Sequence, residues 1–196
     1  MSPDNEDAKG TAGVLVLVVG PSGAGKDTVL RLARQEFAAD RRFRFPRRAI
    51  TRASDPSEDH DSLSPDAFAA GEARGAFALS WRAHGLCYGV PAEIAGALAS
   101  GDIVAVNVSR SIVVKARARF PGAKVALVAA QPETLAARLA ARGRDPDASR
   151  RLSREAVPTE ELRPDLIVHN DGRAEQAAGE FIRFLRGLAA LIDGGA

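Results

Sequence analysis

The stretch VLVLVVGPSGAGKDT, residues 14–28, decides the fold. An uninterrupted apolar run, rich in β-branched valine, predicts a buried strand at Val14–Val19. A glycine-rich turn follows at once, and the next residues, VLRLARQEF, have a helical pattern. A strand, a glycine-rich turn ending in Gly-Lys and a helix form the setting of a phosphate-binding loop. The sequence therefore predicts a nucleoside triphosphate site at Gly20–Thr28.

Each part of this loop has a physical role in binding ATP. Gly20, Gly23 and Gly25 let the backbone wrap closely and point its N–H groups inward. The following helix adds about half a positive charge at its N-terminus. Lys26 is expected to reach the β- and γ-phosphates and to act in catalysis. The predicted ATP contacts are Gly20, Pro21, Ser22, Gly23, Ala24, Gly25, Lys26, Asp27 and Thr28.

The residue after the lysine departs from the usual pattern. A serine or threonine normally stands there as the magnesium ligand, whereas this chain has Asp27. A carboxylate is a hard oxygen donor that can bind Mg²⁺ directly or through water. We therefore expect Asp27 to be linked to the metal, with ATP and Mg²⁺ as cofactors. The alternative is that Asp27 only interacts with the helix dipole.

Length and composition fit one α/β domain. The 196 residues are 45% hydrophobic and 27% charged, which is ordinary for a globular chain. We expect a disordered leader over residues 1–12 and a single domain over residues 13–196. Apolar runs that alternate with Ala/Leu-rich helices predict a parallel sheet covered on both faces. Predicted strands are 14–19, 43–50, 77–82, 103–108, 124–130 and 165–169.

Helix starts are predicted from proline and capping residues. Helices are expected to begin at Pro65, Pro91 and Pro132. A last helix is expected at about residues 174–192. Its predicted buried stripe comprises Ala177, Phe181, Phe184, Leu188 and Leu191.

Composition also argues against several classes of partner. The N-terminal residues are polar and acidic, and no apolar run approaches the ~20 residues of a membrane span. A formal net charge of +2, without basic stretches interleaved with aromatics, does not favour nucleic-acid binding. The single cysteine suits a reducing compartment. We expect a cytoplasmic protein with a small-molecule substrate and no nucleic-acid or membrane partner; its oligomeric state is left open.

Further motifs follow the loop in a characteristic order. They are ITR at 50–52, HGLCYGV at 84–90, RLAARGRD at 138–145 and VHND at 168–171. With GPSGAGKD, they make the chain resemble the guanylate kinase superfamily over roughly residues 14–185. This resemblance implies a P-loop kinase fold with a parallel five-stranded core. It also implies a substrate lobe at about 43–90 and an arginine-rich lid at about 143–157.

Within that superfamily the chain is similar to the ribose 1,5-bisphosphate phosphokinases of phosphonate catabolism. The segments GKD, ALSWRAHGLCYGV (78–90) and VNVSRS (106–111) carry this likeness. It implies ATP-dependent phosphorylation of a phosphorylated sugar to 5-phosphoribosyl 1-diphosphate. Guanylate kinases read guanine with a glutamate and a hydroxyl, which align here with Leu79 and Val90. Guanylate or another nucleoside monophosphate kinase, and a non-catalytic interaction module, are the alternatives.

The resemblance and the polar residues of the lobe suggest an acceptor site. The resemblance assigns Arg52 and Tyr88 to phosphate binding, while Asp55 stands in place of the family's second arginine. For His60 and His84, an exposed surface histidine is the alternative to a substrate contact. Asn107 and Ser109 replace the family's acidic pair and could hold ribose hydroxyls. The predicted acceptor-binding residues are Arg52, Glu58, His60, His84, Tyr88, Asn107, Ser109 and Arg110.

An arginine-rich segment is the predicted lid. Arg138 and Arg142 are four residues apart on a predicted helix, so they project from the same face. Together with Arg144 they are expected to stabilise the transferring phosphoryl group, against the alternative of a solvated surface. The roles of Arg150, Arg151 and Arg154 are left open. Asn170 resembles an adenine-side residue, with a helix cap as its alternative.

Overall fold

A computed structural model describes residues 13–53, 59–141 and 159–194, without the side chains of residues 159 and 160. The strands are β1 Val14–Val19, β2 Phe43–Arg44, β3 Arg48–Ile50, β4 His60–Ser62, β5 Phe77–Ala83, β6 Leu86–Pro91, β7 Ile103–Asn107, β8 Lys124–Ala129 and β9 Leu166–His169. The helices are α1 Lys26–Glu36, α2 Pro65–Ala73, α3 Ile94–Ala99, α4 Val113–Arg119, α5 Pro132–Ala141, α6 Thr159–Leu162 and α7 Ala174–Asp193. A 3₁₀ turn, Arg110–Ile112, precedes α4. Asp55, Glu58, Arg142, Arg144, Arg150, Arg151 and Arg154 lie outside the described residues.

The core is a parallel five-stranded sheet in the order β2-β7-β1-β8-β9, which confirms the expected fold class. Strand β1 lies at its centre and pairs with β7 and β8. Val16 and Val18 pack against α1 and α7 on one face, and Leu15 and Leu17 pack on the other. Burial on both faces explains why β1 is apolar at every position. The carboxyl ends of these strands meet at one edge, and this brings the P-loop, Asn107 and Asn170 together.

A second, four-stranded sheet has the order β4-β3-β6-β5. Strands β3 and β4 are parallel, whereas β6 pairs antiparallel with both β3 and β5. The segment 43–50, predicted as one strand, is two strands in different sheets. Pro46 lies between them, and its missing N–H group and fixed φ disfavour a continuous central strand. The second sheet therefore begins at Arg48.

Other element predictions also differ from the structure. Strands β4 and β6 were not predicted, because β4 is short and polar and β6 contains a glycine and ends in a proline. Pro91 ends a strand instead of beginning a helix, and α3 starts at Ile94. In α7, Leu191 is 73% exposed, while Leu185 is fully buried. The 3.6-residue period places Leu185 and Leu188 on the core face and turns Leu191 away from it.

Helices that combine the length and apolarity needed to cross a membrane do not occur in the described ranges.

Candidate active site

The phosphate loop adopts a conformation that only glycine takes up readily. The φ angles of Gly20, Gly23 and Gly25 are 148°, 85° and 91°. A Cβ atom on Gly20 would lie 2.1 Å from the carbonyl oxygen of Val128, and one on Gly25 would lie 2.3 Å from Asn170 Nδ2. The neighbouring strands therefore leave no room for side chains on the outer side of the loop.

Lys26 lies across the mouth of the loop. Its Nζ donates hydrogen bonds to the carbonyl oxygens of Gly20 and Pro21, both at 2.9 Å. Gly25 is the N-cap residue of α1 and makes no side-chain cap, so the first N–H groups of the helix remain oriented toward the loop. Such a helix start binds anions through its N–H groups and its dipole. This ammonium group and these amides together can bind a polyphosphate.

Side chains from two other elements hold the loop from behind. Asn170, at the end of β9, is 2% exposed and donates from Nδ2 to the carbonyl oxygen of Ala24 at 2.7 Å. Arg138 of α5 approaches the Gly23 carbonyl oxygen with Nη1 at 3.5 Å. The N-cap position of α7 is Arg173, so Asn170 does not serve as its cap. Both predicted residues thus contact the loop itself.

Asp27 lies at the junction between the loop and strand β7. Its Oδ1 accepts a 2.7 Å hydrogen bond from Asn107 Nδ2, and Arg48 Nη2 lies 3.9 Å away. Asn107 is 7% exposed, while the Asp27 side chain is 52% exposed. The sequence predicts that Asn107 contacts ribose; in the structure its side-chain amide is hydrogen-bonded to the Asp27 carboxylate.

This carboxylate is suited to Mg²⁺. Magnesium is usually held by one or two carboxylates, with the remaining positions filled by substrate phosphates and water. Asp27 is open to solvent and lies beside the phosphate loop. No cluster of three or more His, Cys, Asp or Glu exists among the residues that the structure describes. The exposed Asp27 carboxylate itself fits a metal whose other ligands would be phosphate oxygens and water.

A cleft of about 360 Å³ opens beside Asp27. It lies between α1, the segment that joins β2 to β3, and the end of β7. Its polar walls include Asp27, Arg31, Arg34, Arg48, Asp59 and Asn107. Sequence reasoning missed Arg48, although the strand alternation after Pro46 could have indicated that one of two adjacent arginines faces the site.

The positions that would read guanine are part of the core. Leu79 and Val90 are 1% and 0% exposed, and they pair with each other across β5 and β6. Tyr88 is on the same strand as Val90, and its ring stacks on Trp81 with centroids 5.2 Å apart. Apolar packing therefore replaces polar base recognition at this place.

The two lobe histidines have opposite surroundings. His60 is 2% exposed, which excludes a surface role, and its ring nitrogens have no hydrogen-bond partner in the described part of the chain. His84 is exposed in the turn between β5 and β6. Its φ of 53° precedes a φ of 73° at Gly85, the pattern of a type I′ hairpin turn. His84 does not line the cleft.

The remaining predicted acceptor residues follow β3 and β7. Arg52 is half-buried two residues after β3. Ser109 begins the 3₁₀ turn and accepts from the Ser111 N–H at 3.3 Å. Arg110 is half-buried, and this burial lowers the pKa of its guanidinium below the usual range. The charge of Arg110 is therefore partly desolvated at this edge of the core sheet.

The sheet order and the glycine-rich loop define a P-loop kinase-like fold of the guanylate kinase type. A solved guanylate kinase from Anaplasma phagocytophilum superposes with a TM-score of 0.70 at 16% identity, covering 90% of this chain and 86% of that one. A gluconokinase from Sinorhizobium meliloti gives 0.54 at 21% identity, covering 94% and 98%. At these identities the structures support the fold alone.

Sequence relatives identify the family. Ribose 1,5-bisphosphate phosphokinase PhnN of Acidiphilium cryptum is 54% identical over 176 residues, covering 89% of this chain and 93% of that protein. The protein of the same name from Methylobacterium radiotolerans is 49% identical over 176 residues, covering 89% and 98%. No general model of a protein family matches the chain. The two relatives show that it belongs to the ribose 1,5-bisphosphate phosphokinase PhnN family.

Proposed function

We propose that this chain transfers the γ-phosphoryl group of ATP to the 1-phosphate of ribose 1,5-bisphosphate. The products are 5-phosphoribosyl 1-diphosphate and ADP. One observation carries the choice of acceptor: a complete phosphate loop is combined with buried, apolar Leu79 and Val90 in place of a guanine reader. The names of the curated relatives support the same acceptor.

The donor half of the reaction depends on the loop. Backbone N–H groups of residues 20–28 bind the β-phosphate, and Lys26 leaves its two carbonyl partners to follow the charge of the transferring group. Arg138 is close enough to the loop to add positive charge at the same place. We assign Arg142 and Arg144 to the same role. Asn170 supports the loop from behind, so it holds the amides in position.

The acceptor half needs positioning more than proton transfer. Arg52 and Tyr88 hold the 1-phosphate, and one of its oxygens forms a new bond to the γ-phosphorus of ATP. The bond from that phosphorus to the β–γ bridging oxygen breaks, and ADP leaves with the electron pair. A phosphate oxygen is already ionised at neutral pH, so no general base is required. In-line positioning and electrostatic stabilisation supply the catalysis.

Asp27 is the proposed protein link to magnesium. A bound Mg²⁺ would neutralise charge on the phosphates and fix their geometry. Asn107 holds one carboxylate oxygen of Asp27, so the other can face the phosphates. The carboxylate is therefore supplied by the start of α1, beside the end of β7 at which the resemblance expects an acidic pair.

The cellular setting follows from the same chemistry. We propose a cytoplasmic location, because a single unpaired cysteine suits a reducing compartment. The resemblance to phosphonate-catabolism kinases implies that the substrate is a sugar phosphate derived from that breakdown.

The test compares two acceptors with the purified protein. ADP release is measured with ATP, Mg²⁺ and either ribose 1,5-bisphosphate or GMP, and phosphorus NMR identifies the product. We expect turnover of the bisphosphate and a new diphosphate signal, with GMP consumed at least about 10²-fold more slowly. Faster turnover of GMP would replace the proposed acceptor with a nucleotide. Absence of transfer to either acceptor would favour the interaction-module alternative.

A further inference from the structure

Strand β3 directs a second arginine toward the acceptor side of the site. The Arg48 side chain is only 14% exposed and lies in the wall of the 360 Å³ cleft. Its Nη2 forms an ion pair with Asp27 Oδ1 at 3.9 Å. A guanidinium placed in a concave and partly desolvated wall interacts strongly with a bound anion.

His60 lies beside Arg48 in the neighbouring strand. The parallel register of β3 and β4 pairs these two residues, so their side chains are on the same face of the sheet. His60 is 2% exposed, and within the described residues its ring nitrogens make no hydrogen bond. Buried polar atoms without partners are uncommon, and a ligand is one of the groups that can satisfy them. His60 does not itself line the cleft, so Arg48 is the member of the pair that faces a bound anion, with the buried imidazole beside it.

The cleft beside Arg48 leads away from the phosphate loop. It follows one face of α1 from Asp27 past Arg31 to Arg34. Arg34 is already engaged by Asp59 in an ion pair, whereas Arg31 donates a long hydrogen bond to Gln35 Oε1 at 3.4 Å. A phosphate bound in this direction would lie away from the loop predicted to hold the γ-phosphate of ATP.

The spacing along the chain is consistent with a ligand that has two charged ends. Arg52 is four residues after Arg48, and four residues span at most about 14 Å. Tyr88 pairs with Ile50, between these arginines. Arg48 and Arg52 thus lie on either side of the position that pairs with Tyr88, a spacing that suits an acceptor with a phosphate at each end.

We propose that Arg48, with His60 beside it, binds the acceptor phosphate that does not receive the phosphoryl group, the 5-phosphate of ribose 1,5-bisphosphate. This assignment rests on the proposed function and adds a residue that selects bisphosphorylated over monophosphorylated sugars. Arg48 acts on substrate binding and not on ATP.

The experiment removes the Arg48 guanidinium and the 5-phosphate of the acceptor separately. Wild-type protein, Arg48→Ala and Arg48→Lys are compared with ribose 1,5-bisphosphate and with ribose 1-phosphate, which lacks the 5-phosphate. Ribose 1-phosphate is measured as an acceptor or, where turnover is too slow, as a competitive inhibitor. For the bisphosphate we expect Arg48→Ala to lower kcat/KM by about 10- to 100-fold, mainly through KM, and Arg48→Lys to lose less. For ribose 1-phosphate the variants should match the wild type.

Controls separate this role from a structural one. Arg44→Ala removes an arginine that is 53% exposed and paired with Asp102 away from the cleft, and it should leave both acceptors unaffected. The KM for ATP and the thermal unfolding midpoint should stay near the wild-type values for Arg48→Lys. His60→Gln should weaken the bisphosphate by a smaller factor and spare ribose 1-phosphate.

The outcomes distinguish the two proposals. Equal losses on both acceptors would show that Arg48 acts through Asp27, and would overturn the assignment while leaving the kinase activity intact. Wild-type protein that does not use ribose 1,5-bisphosphate would overturn the proposed function and this assignment with it. A loss confined to the bisphosphate supports both.

Discussion

The donor loop and the acceptor face of this protein are built on different principles. The loop, proposed to bind phosphate through backbone N–H groups, has glycines at positive φ and the ammonium group of Lys26. The proposed acceptor face consists of side chains that strand pairing brings together, such as Arg48 beside His60 and Ile50 opposite Tyr88. A backbone cradle accepts any suitable triphosphate, whereas a few side-chain exchanges can change the acceptor. The guanylate kinase fold can thus keep its donor chemistry while its substrate changes.

The strongest test of the donor side is Lys26→Ala. Loss of the ammonium group removes charge at the transferring phosphoryl, and we expect turnover to fall by about 10³-fold. The measurement is steady-state ADP release at saturating ATP. Lys124→Ala is a matched control, because Lys124 pairs with Asp165 at the opposite edge of the sheet. Near-wild-type activity of Lys26→Ala would contradict the assignment of residues 20–28 as the ATP phosphate site.

A second test concerns the backbone of the loop. Gly20→Ala would place a Cβ atom 2.1 Å from a carbonyl oxygen in strand β8, at a φ of 148°. We expect a loss of about 3 kcal/mol in the free energy of unfolding, from strain and the clash. Gly187→Ala is the control, because its Cβ meets nothing within 4 Å inside helix α7. That change should stabilise by up to about 1 kcal/mol, and denaturant titration of both variants checks the contrast.

The junction between the two regions is tested by Asn107→Ala. Without the 2.7 Å hydrogen bond the Asp27 carboxylate loses its orientation, and we expect kcat to fall by about 10-fold. The apparent affinity for Mn²⁺ in the presence of ADP, followed by electron paramagnetic resonance, should weaken in parallel. An increase in the KM for the sugar, with unchanged metal affinity, would instead support the direct ribose contact expected from the sequence.

The smallest effect is expected for Glu72 of α2, which contacts strand β5 at one edge of the four-stranded sheet. Hydrogen bonds from Ser80 and Arg82 lower the pKa of Glu72 below its usual value of 4.5. Because the folded-state pKa is depressed, this stabilisation is present above pH 4.5 and is lost as the pH falls through the folded-state value. Glu72→Gln should therefore cost about 0.5 kcal/mol or less at pH 7 and nothing in strong acid. Thermal unfolding of the wild type and the variant, at pH 7 and in strong acid, measures this difference in stability. Turnover should not change.

Prediction from sequence was most successful where the determining contacts are local. Strand β1, the start of α2 at Pro65 and the start of α5 at Pro132 are confirmed. Each depends on neighbouring residues: an apolar run, or a capping residue with proline. The lobe was less predictable, since β4 and β6 acquire their strand character from pairing with distant segments. The burial of leucines in α7 was also hard to predict. A small change in the rotational phase of the helix decides whether Leu185 or Leu191 faces the core.

The sequence by itself determined the phosphate loop, since its glycines, its lysine and its flanking strand and helix are contiguous and their conformations are local. It also determined the parallel core, because an alternation of apolar strands and helices has few other ways to bury itself. Only the tertiary structure decided that Asn107 holds Asp27, that Arg48 faces the cleft, and that His60 is buried beside it. These relations depend on the register and order of strands far apart in the chain, where a shift of one residue would turn every side chain to the other face.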